Sequence, residues 1–180
     1  MADGPAHPRR WIGRTAFAAL ALVLIFLRLL PLQLVPVGWA GPNLLLAVTL
    51  VWAVRRPDYL PVSMVAAVFL LADLLFQRPP GLMAAAVVMG TEFLRRRHGQ
   101  LRTMPFALEW GSVALVVIGI AFGQRLVLAA AMLPQAPMAP TMVEMALTIL
   151  CYPLVTGLAY MLFGVARRAP GEVDALGHRL

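Results

Sequence analysis

Long apolar runs alternate with short polar or proline-rich segments along the whole chain. Runs of this kind predict membrane-spanning helices, because a helix rises about 1.5 Å per residue and a span needs about 20 mostly apolar residues. We predict an all-α membrane protein with six transmembrane helices. Their approximate ranges are 15–30, 36–54, 60–77, 81–94, 105–132 and 142–166.

The second of these helices is the least regular. Only the stretch Asn43–Val54 is a clean apolar run, and it is too short to span a membrane by itself. The preceding segment, Leu32–Pro42, contains prolines and glycines but no charge. We therefore expect this segment to supply the rest of the crossing as a proline-broken helix packed on its neighbours.

The basic head before the first run, Met1–Arg14, allows one alternative interpretation. A positively charged segment ahead of an apolar run also describes a signal peptide, with Gly38-Trp39-Ala40 as a weak cleavage site. Arg28 lies within the apolar run, where it is out of place in the core of a signal peptide. We therefore predict that the run is retained as the first transmembrane helix.

Composition places the chain among membrane proteins. Hydrophobic residues make up 61% of its 180 residues and charged residues 13%, whereas about 25% of the residues of soluble domains are charged. We expect one transmembrane domain, residues 1–180. The net charge of +7 does not indicate a nucleic-acid partner, because the basic residues stand at the ends of apolar runs, where they set membrane topology.

The fifteen basic residues, all arginine, divide unequally between the two sides of the six-helix layout. Cytoplasmic loops carry the excess of basic residues, so both termini are predicted to be cytoplasmic. The three arginines on the outer side are Arg28, Arg78 and Arg125. The twelve on the cytoplasmic side are Arg9, Arg10, Arg14, Arg55, Arg56, Arg95, Arg96, Arg97, Arg102, Arg167, Arg168 and Arg179.

Five ionisable residues are predicted to lie in the outer half of the membrane: Arg28, Asp73, Arg78, Arg125 and Glu144. Charged groups within spans are costly and are candidates for function. These side chains can pair with one another or bind a partner protein, and the long ones can alternatively extend to the membrane interface. The side chain of Asp73 is too short for that, so we expect a buried partner for it.

We expect the other polar residues of the spans to have only local roles. Glu92 precedes Arg95 and Arg96 by three and four residues, the spacing of a helical ion pair, and Glu109 stands in the first turn of a helix, where the dipole favours an acid. The sequence has no histidine relay, no zinc-binding HExxH motif and no phosphate-binding glycine loop within its spans. We predict no enzyme, no metal site and no cofactor, and we expect Cys151 to act as a small apolar residue.

The stretch Gly41–Leu82 has a pattern of its own. It consists of an aliphatic helix, a tryptophan, an Arg-Arg-Pro step, and a second helix that ends in Asp-Leu-Leu before a proline turn and Gly-Leu. In order and spacing, this pattern resembles the MreD family, the rod-shape-determining membrane proteins of bacteria. The matching residues are Gly41, Pro42, Trp52, Arg55, Arg56, Pro57, Pro61, Phe69, Asp73, Leu74, Leu75, Gly81 and Leu82.

The resemblance implies a non-enzymatic scaffold of the cell-elongation machinery in the bacterial inner membrane. It implies direct binding to MreC, a single-span protein with a periplasmic coiled coil, in an assembly with MreB, RodA and a class B penicillin-binding protein that makes peptidoglycan. We expect a segment of the partner to dock near Asp73 and Arg78. The arginines at 55–56 and 95–97 are expected to contact MreB or anionic lipid, or only to set topology.

The MreD family is itself thought to resemble the six-helix substrate-binding (S) components of energy-coupling-factor vitamin transporters. That likeness gives the alternative function, capture of a small molecule in an outward-facing pocket. S components commonly carry an Ala-x-x-x-Ala step on their first helix, whereas the alanines at 16, 18, 19 and 21 never fall four apart. This difference disfavours transport, and a structural subunit of some other membrane complex is the third alternative.

Overall fold

The structure is a computed structural model that describes residues 6–30 and 41–163. Within these residues every regular element is helical, as predicted. A 3₁₀ turn lies between the second and third α-helices. The seven α-helices are α1 (Ala6–Leu29), α2 (Leu44–Arg55), α3 (Val62–Leu75), α4 (Leu82–Arg96), α5 (His98–Thr103), α6 (Phe106–Ala130) and α7 (Met138–Phe163).

Three helical segments in the described part of the chain are long and apolar enough to cross a membrane. They are Trp11–Leu29 in α1, Phe106–Ala130 in α6 and Met138–Leu162 in α7. Most residues of each segment lie outside the core, and large apolar side chains such as Phe26 and Leu126 are exposed there. Such a surface suits lipid better than water, so the helices indicate a multi-pass membrane protein.

α2 lies at the centre of the helix bundle. Its residues from Leu45 to Val54 are all buried, and it packs against α1, α4, α5 and α7. A helix that is apolar on every side is typical of a core position. Its largest side chain, Trp52, is 1% exposed, and the centre of its ring lies 6.1 Å from that of Phe17 on α1.

α2 begins later than the predicted range 36–54. Residues 31–40, which include most of the expected proline-broken segment, lie outside the described part of the chain, and residues 41–43 are not helical. Asn43 caps the helix, since its side-chain oxygen accepts a hydrogen bond from the backbone N–H of Leu46 at 3.2 Å. This bond satisfies an amide that has no partner within the first turn and therefore fixes the start of α2 at Leu44.

Two helices begin earlier than predicted. α1 starts at Ala6 rather than at residue 15, and α7 starts at Met138 rather than at residue 142. The predicted end of the last helix, residue 166, lies outside the described residues. In each helix a proline, Pro8 or Pro140, occupies the first turn. Proline is tolerated there because the N–H that it lacks would have no helical partner.

The segment 95–102, which lies between the predicted spans 81–94 and 105–132, is largely helical. α4 continues to Arg96, and α5 begins two residues later at His98. The Nδ1 atom of His98 lies 2.7 Å from the carbonyl oxygen of Val54, which ties α5 to the end of α2. The two residues are 44 positions apart, so the local sequence pattern does not reveal the contact that orders this segment.

α3 and α4 form a tight hairpin at the proline turn. The backbone N–H groups of Gln77 and Arg78 donate to the carbonyl oxygens of Leu74 and Asp73 at 3.3 and 2.9 Å. This Schellman motif places Gln77 in the left-handed conformation, with φ of 54°. Gly81 then opens α4 with φ of 84°, a conformation that glycine adopts without steric strain.

The other long helices surround α2. α1 packs on α3, α3 on α4, α4 on α6, and α6 on α7, which packs in turn on α2. α4 and α6 approach so closely at Gly90 that a Cβ atom there would lie 2.7 Å from Cγ1 of Val116. The α3–α4 turn, the α6–α7 connection and the start of α2 meet at one end of the bundle. We call this the hairpin end.

Candidate functional site

All five charged residues predicted for the outer half of the membrane lie at the hairpin end. Asp73, Arg78, Arg125 and Glu144 line one cavity there, and Arg28 pairs with Glu144. The structure thus brings together residues up to 116 positions apart in the chain.

The carboxylate of Asp73 binds backbone amides rather than an arginine. Asp73 is 1% exposed, and its Oδ2 atom accepts hydrogen bonds from the N–H groups of Gly81 at 3.1 Å and Ala84 at 3.3 Å. Gly81 is the N-cap residue of α4 and has no side chain, so Asp73 supplies from α3 the acceptor that a capping residue usually provides. Its charge also meets the positive end of the helix dipole. Asp73 therefore shapes the hairpin from within.

Arg28 of α1 and Glu144 of α7 form an ion pair, with 3.4 Å between Nη2 and Oε1. Their side chains are 37% and 26% exposed, so the pair contributes about 1 kcal/mol or less to stability. The Arg28 guanidinium also lies 5.2 Å from the centre of the Phe76 ring, and the Arg78 guanidinium lies 5.6 Å from the same point. Phe76 thus gives two like charges a favourable contact.

Arg78 occupies the turn between α3 and α4. Among the described residues, no carboxylate lies within ion-pair distance of it. Burial, and next the like charge of Arg28, lower the pKa of its guanidinium, while Glu144 and Asp73 raise it. Arginine nevertheless remains protonated. The turn therefore places a partly desolvated positive charge at the wall of the cavity.

Arg125 of α6 contacts the connection between α6 and α7. Its Nη1 atom donates to the carbonyl oxygen of Ala136 at 2.9 Å and to Oγ1 of Thr141 at 3.3 Å. Like Arg78, it has no carboxylate at ion-pair distance in the described part of the chain. Neutral acceptors position the guanidinium but leave its charge uncompensated.

The cavity at the hairpin end has a volume of about 420 Å³, within the range of roughly 300–1,000 Å³ that small-molecule sites occupy. One part of its wall is charged and polar, and another part is apolar. Besides the four charged residues, the polar lining is formed by Asn43, Gln77, Gln124, Gln135, Thr141 and Thr148. The apolar lining includes Leu46, Leu82, Met83, Val117, Ile120, Ala121, Leu128, Leu133 and Met145.

A second depression, about 800 Å³ in volume, runs along the surface between α4 and α6. This α4–α6 groove begins at the hairpin residues 79–82 and continues past Gly90, Gly119 and Gly123. A Cβ atom at Gly119 or Gly123 would meet nothing within 4 Å apart from its chain neighbours and the adjacent backbone of α6. Small residues on an exposed helix face allow a second transmembrane helix to approach closely. The spacing Gly119-x-x-x-Gly123 is a helix-packing motif, and the predictions from sequence missed it.

Most residues of the Gly41–Leu82 pattern lie either at helix ends or in the buried core of the bundle. Gly41 and Pro42 precede the cap of α2, and the carbonyl oxygen of Pro42 accepts from the N–H of Leu44 at 3.0 Å. Trp52 is the largest fully buried side chain in the described part of the chain. Pro61 is the N-cap residue of α3, in an extended conformation. Each of these residue types therefore suits its local backbone or packing.

Arg56 and Pro57 form the turn between α2 and α3. The backbone N–H of Arg56 donates to the carbonyl oxygen of Trp52 at 2.8 Å and closes α2. Its guanidinium lies 5.8 Å from the centre of the Tyr59 ring. Pro57 starts the 3₁₀ turn, where its fixed φ is favourable.

Glu109 has a larger role than the local one predicted. It does stand in the first turn of α6, but its side chain is 0% exposed and joins three helices. Its Oε1 atom accepts from the hydroxyl of Tyr152 on α7 at 2.8 Å and from Nε of Arg55 on α2 at 3.4 Å. We call Arg55, Glu109 and Tyr152 the Arg55 cluster. The partners stand 54 and 43 positions from Glu109, so no spacing rule could have found them.

Glu92 pairs with Arg95 at 3.8 Å and with Arg96 at 3.5 Å on the same helix, as predicted. Cys151 is a half-buried free thiol. Among the residues that the structure describes, no three His, Cys, Asp or Glu side chains gather closely enough to hold a metal ion.

Comparison of the chain with models of protein families, with curated protein sequences and with solved structures finds no match. The interpretation of the site therefore depends on its own geometry and on the resemblance of residues 41–82 to the MreD sequence pattern.

Proposed function

We propose that the protein is a non-enzymatic scaffold of the cell-elongation machinery in a bacterial inner membrane and that it binds MreC directly. Two features support the proposal. The first is the resemblance of Gly41–Leu82 to the MreD family. The second is the α4–α6 groove, which begins at the hairpin that ends this stretch. The groove is the observation that carries partner binding, because it offers a transmembrane helix a surface on which to pack.

The residue types of the resembling stretch agree with the contacts that they make. Asp73 and Gly81 form one unit, in which the acid caps a helix whose N-cap glycine has φ of 84°. Arg55 meets a buried acid, and Trp52 fills the centre of the bundle. Agreement between local residue choices and the surrounding packing is expected where a stretch specifies the fold. These positions thus support the resemblance through their structural roles.

In this proposal six helices, α1–α4, α6 and α7, cross the membrane, and both termini are cytoplasmic. α2 and α3 have 12 and 14 residues, fewer than the ~20 residues of a full helical span, and such short helices are tolerated where surrounding protein satisfies the backbone at their ends. Arg28, Arg78 and Arg125 lie at the hairpin end, whereas Arg55 lies at the other end of α2. The hairpin end therefore faces the periplasm by the positive-inside rule.

The proposed occupant of the α4–α6 groove is the single transmembrane helix of MreC. In lipid, helices associate through close van der Waals packing, which Gly119 and Gly123 allow. A helix in the groove would leave the membrane beside the α3–α4 turn, on the side where the coiled coil of MreC lies. Asp73 then acts indirectly, by fixing the turn at which the groove begins. MreB, RodA and a class B penicillin-binding protein would join through the same assembly.

Co-purification with MreC tests the proposal. The chain is expressed with MreC from the same bacterium and purified in a mild non-ionic detergent, and the ratio of MreC to chain is measured. Gly119→Leu and Gly123→Leu each fill the groove and are expected to lower that ratio about tenfold, which corresponds to a loss of about 1.4 kcal/mol of helix packing. Gly157→Leu is the matched control, because Gly157 is exposed on α7 with equally open space around it.

The recovered proteins distinguish the alternatives. Undiminished MreC with both groove variants, each as thermally stable as the unmodified chain, would contradict the docking site. Recovery of an ATPase pair with a coupling subunit would instead favour a vitamin transporter. Recovery of neither set would leave a structural subunit of a different complex.

A further inference from the structure

Two arginines line the cavity at the hairpin end without a charged partner in the described part of the chain. Arg78 contacts the ring of Phe76, and Arg125 donates to a backbone carbonyl and to the hydroxyl of Thr141. No carboxylate lies at ion-pair distance from either guanidinium among those residues. Both guanidiniums therefore retain donors and charge for a ligand.

The two acids that line the same cavity already have partners. Asp73 accepts from the backbone amides of Gly81 and Ala84, and Glu144 pairs with Arg28. The five residues of this end carry three positive charges and two negative ones, a formal excess of 3 − 2 = +1. An uncompensated guanidinium charge in a partly desolvated site favours an anion.

The rest of the cavity wall sets the shape and polarity of the ligand. Leu46, Met83, Val117 and Ile120 form an apolar surface, and the volume of about 420 Å³ admits a compact organic molecule but not a large one. A bare inorganic ion would leave that apolar surface uncovered. The cavity thus fits a molecule with one anionic group and an apolar body.

We propose that the cavity at the hairpin end binds an amphiphilic anion, a phosphate or carboxylate, whose charged group is bound by Arg78 and Arg125 and whose apolar part packs against α2, α4 and α6. The guanidinium fork matches both anions geometrically. Such chemistry has two sources: a soluble organic anion, or the head group and first carbons of an anionic lipid. The site does not depend on MreC binding and stands or fails separately from it.

The test uses the full chain purified in dodecyl maltoside, with one probe for each source. Hexyl phosphate is the soluble probe, and hexanol is its neutral match. Phosphatidylglycerol added to the micelles is the lipid probe, and phosphatidylcholine is its zwitterionic match. The increase in melting temperature with probe concentration gives the dissociation constant, and native mass spectrometry counts the molecules that remain bound.

Variants connect the binding to the cavity. Arg78→Gln and Arg125→Gln are each expected to weaken binding roughly 10- to 100-fold, because each removes a charged hydrogen-bond donor. Ala121→Phe keeps both arginines but fills the cavity, so it is expected to abolish binding whatever its effect on unliganded stability. Arg96→Gln is the matched control, since the Arg96 side chain is 80% exposed and pairs only with Glu92 on its own helix in the described structure.

Every outcome decides the proposal. Arginine-dependent binding of hexyl phosphate supports a soluble ligand, and arginine-dependent binding of phosphatidylglycerol alone supports a lipid head group. The proposal is overturned if neither probe binds, if hexanol binds as tightly as hexyl phosphate, or if Ala121→Phe and the glutamine variants bind as the unmodified chain does.

Discussion

The carboxylate of Asp73 accepts a hydrogen bond from the N–H of Gly81 across the α3–α4 turn, at 3.1 Å. The two residues complement each other, because a buried acid needs donors and a glycine N-cap has no side chain to act as acceptor. The same oxygen accepts from Ala84 at 3.3 Å, so one side chain on α3 fixes the first turn of α4. The turn between them borders both the cavity and the α4–α6 groove.

Replacing Asp73 should therefore destabilise the hairpin. Asp73→Ala leaves two amides of α4 without their acceptor, and we expect it to lower the free energy of unfolding by about 1–3 kcal/mol. Asp73→Asn keeps one acceptor oxygen and loses only the charge, so its effect should be clearly smaller. Denaturation in detergent micelles, followed by circular dichroism, measures both.

Glu92→Ala is the control for this pair of variants, since it removes an acid whose side chain is 37% exposed and whose ion pairs lie at the surface. Its effect should stay within about 0.5 kcal/mol. If Asp73→Ala were as stable as the unmodified chain, the capping role of Asp73 would be wrong.

At the other end of the bundle, we expect substitution in the Arg55 cluster to lower the free energy of unfolding by a larger amount. Arg55→Met removes a charged partner of Glu109, whose side chain is 0% exposed. Loss of one member of a buried ion pair costs about 3–5 kcal/mol, because the other charge stays buried. The double variant Arg55→Met/Glu109→Gln removes both charges, keeps an acceptor for the hydroxyl of Tyr152, and should recover most of that loss in the same denaturation assay.

An exposed arginine provides the comparison. Arg96→Met disrupts a surface pair in which Arg96 is 80% exposed, so the expected change is below about 0.5 kcal/mol. Equal losses for Arg55→Met and Arg96→Met, or no recovery in the double variant, would show that the buried pair is not what holds α2 to α6.

Much of the hairpin end could be predicted from sequence, and the Arg55 cluster could not. Counting residues along each helix gives depth, and depth alone places Arg28, Arg125 and Glu144 at the same end of a bundle. Which groups touch there depends on how the helices rotate and pack. Asp73 illustrates this limit, because its partners are backbone amides, whose positions follow from the turn geometry and not from any charge pattern.

The ends of the helices show a similar limit. Apolar runs locate the helices, but capping decides where they start, as Asn43 does for α2. The predicted starts of α1 and α7 were too late, and each helix has a proline in its first turn, a position with which proline is compatible. Glu109 looked like a local dipole partner because its real partners lie far away in the chain.

The proposed topology predicts which residues an impermeant thiol reagent can reach. In a Cys151→Ala background, Met132→Cys places a thiol at a residue of 93% exposure beside the α6–α7 connection, and Gly99→Cys places one on the exposed surface of α5. Intact spheroplasts should label only Met132→Cys, and Gly99→Cys should react only after the membrane is permeabilised. The reverse pattern would invert the orientation, and the periplasmic docking site would be excluded.

We predict that the contributions of Trp110 and Pro153 to the free energy of unfolding are coupled. Pro153 lies within α7 and has no N–H to donate to the carbonyl oxygen four residues earlier, that of Ile149. The indole N–H of Trp110 on α6 donates to that oxygen at 2.9 Å. A neighbouring helix thus satisfies the acceptor that proline leaves free, which is how membrane helices tolerate proline.

A double-mutant cycle tests this relationship. Trp110→Phe should cost about 1 kcal/mol more in the unmodified chain than in Pro153→Ala, because alanine restores the helical N–H donor and Ile149 then no longer needs the indole. The loss of packing from tryptophan to phenylalanine is common to both backgrounds and cancels in the cycle. Unfolding free energies of the four proteins in the same detergent give the coupling. A coupling near zero would mean that the freed carbonyl is satisfied without Trp110, and the indole would then stabilise the α6–α7 contact by packing alone.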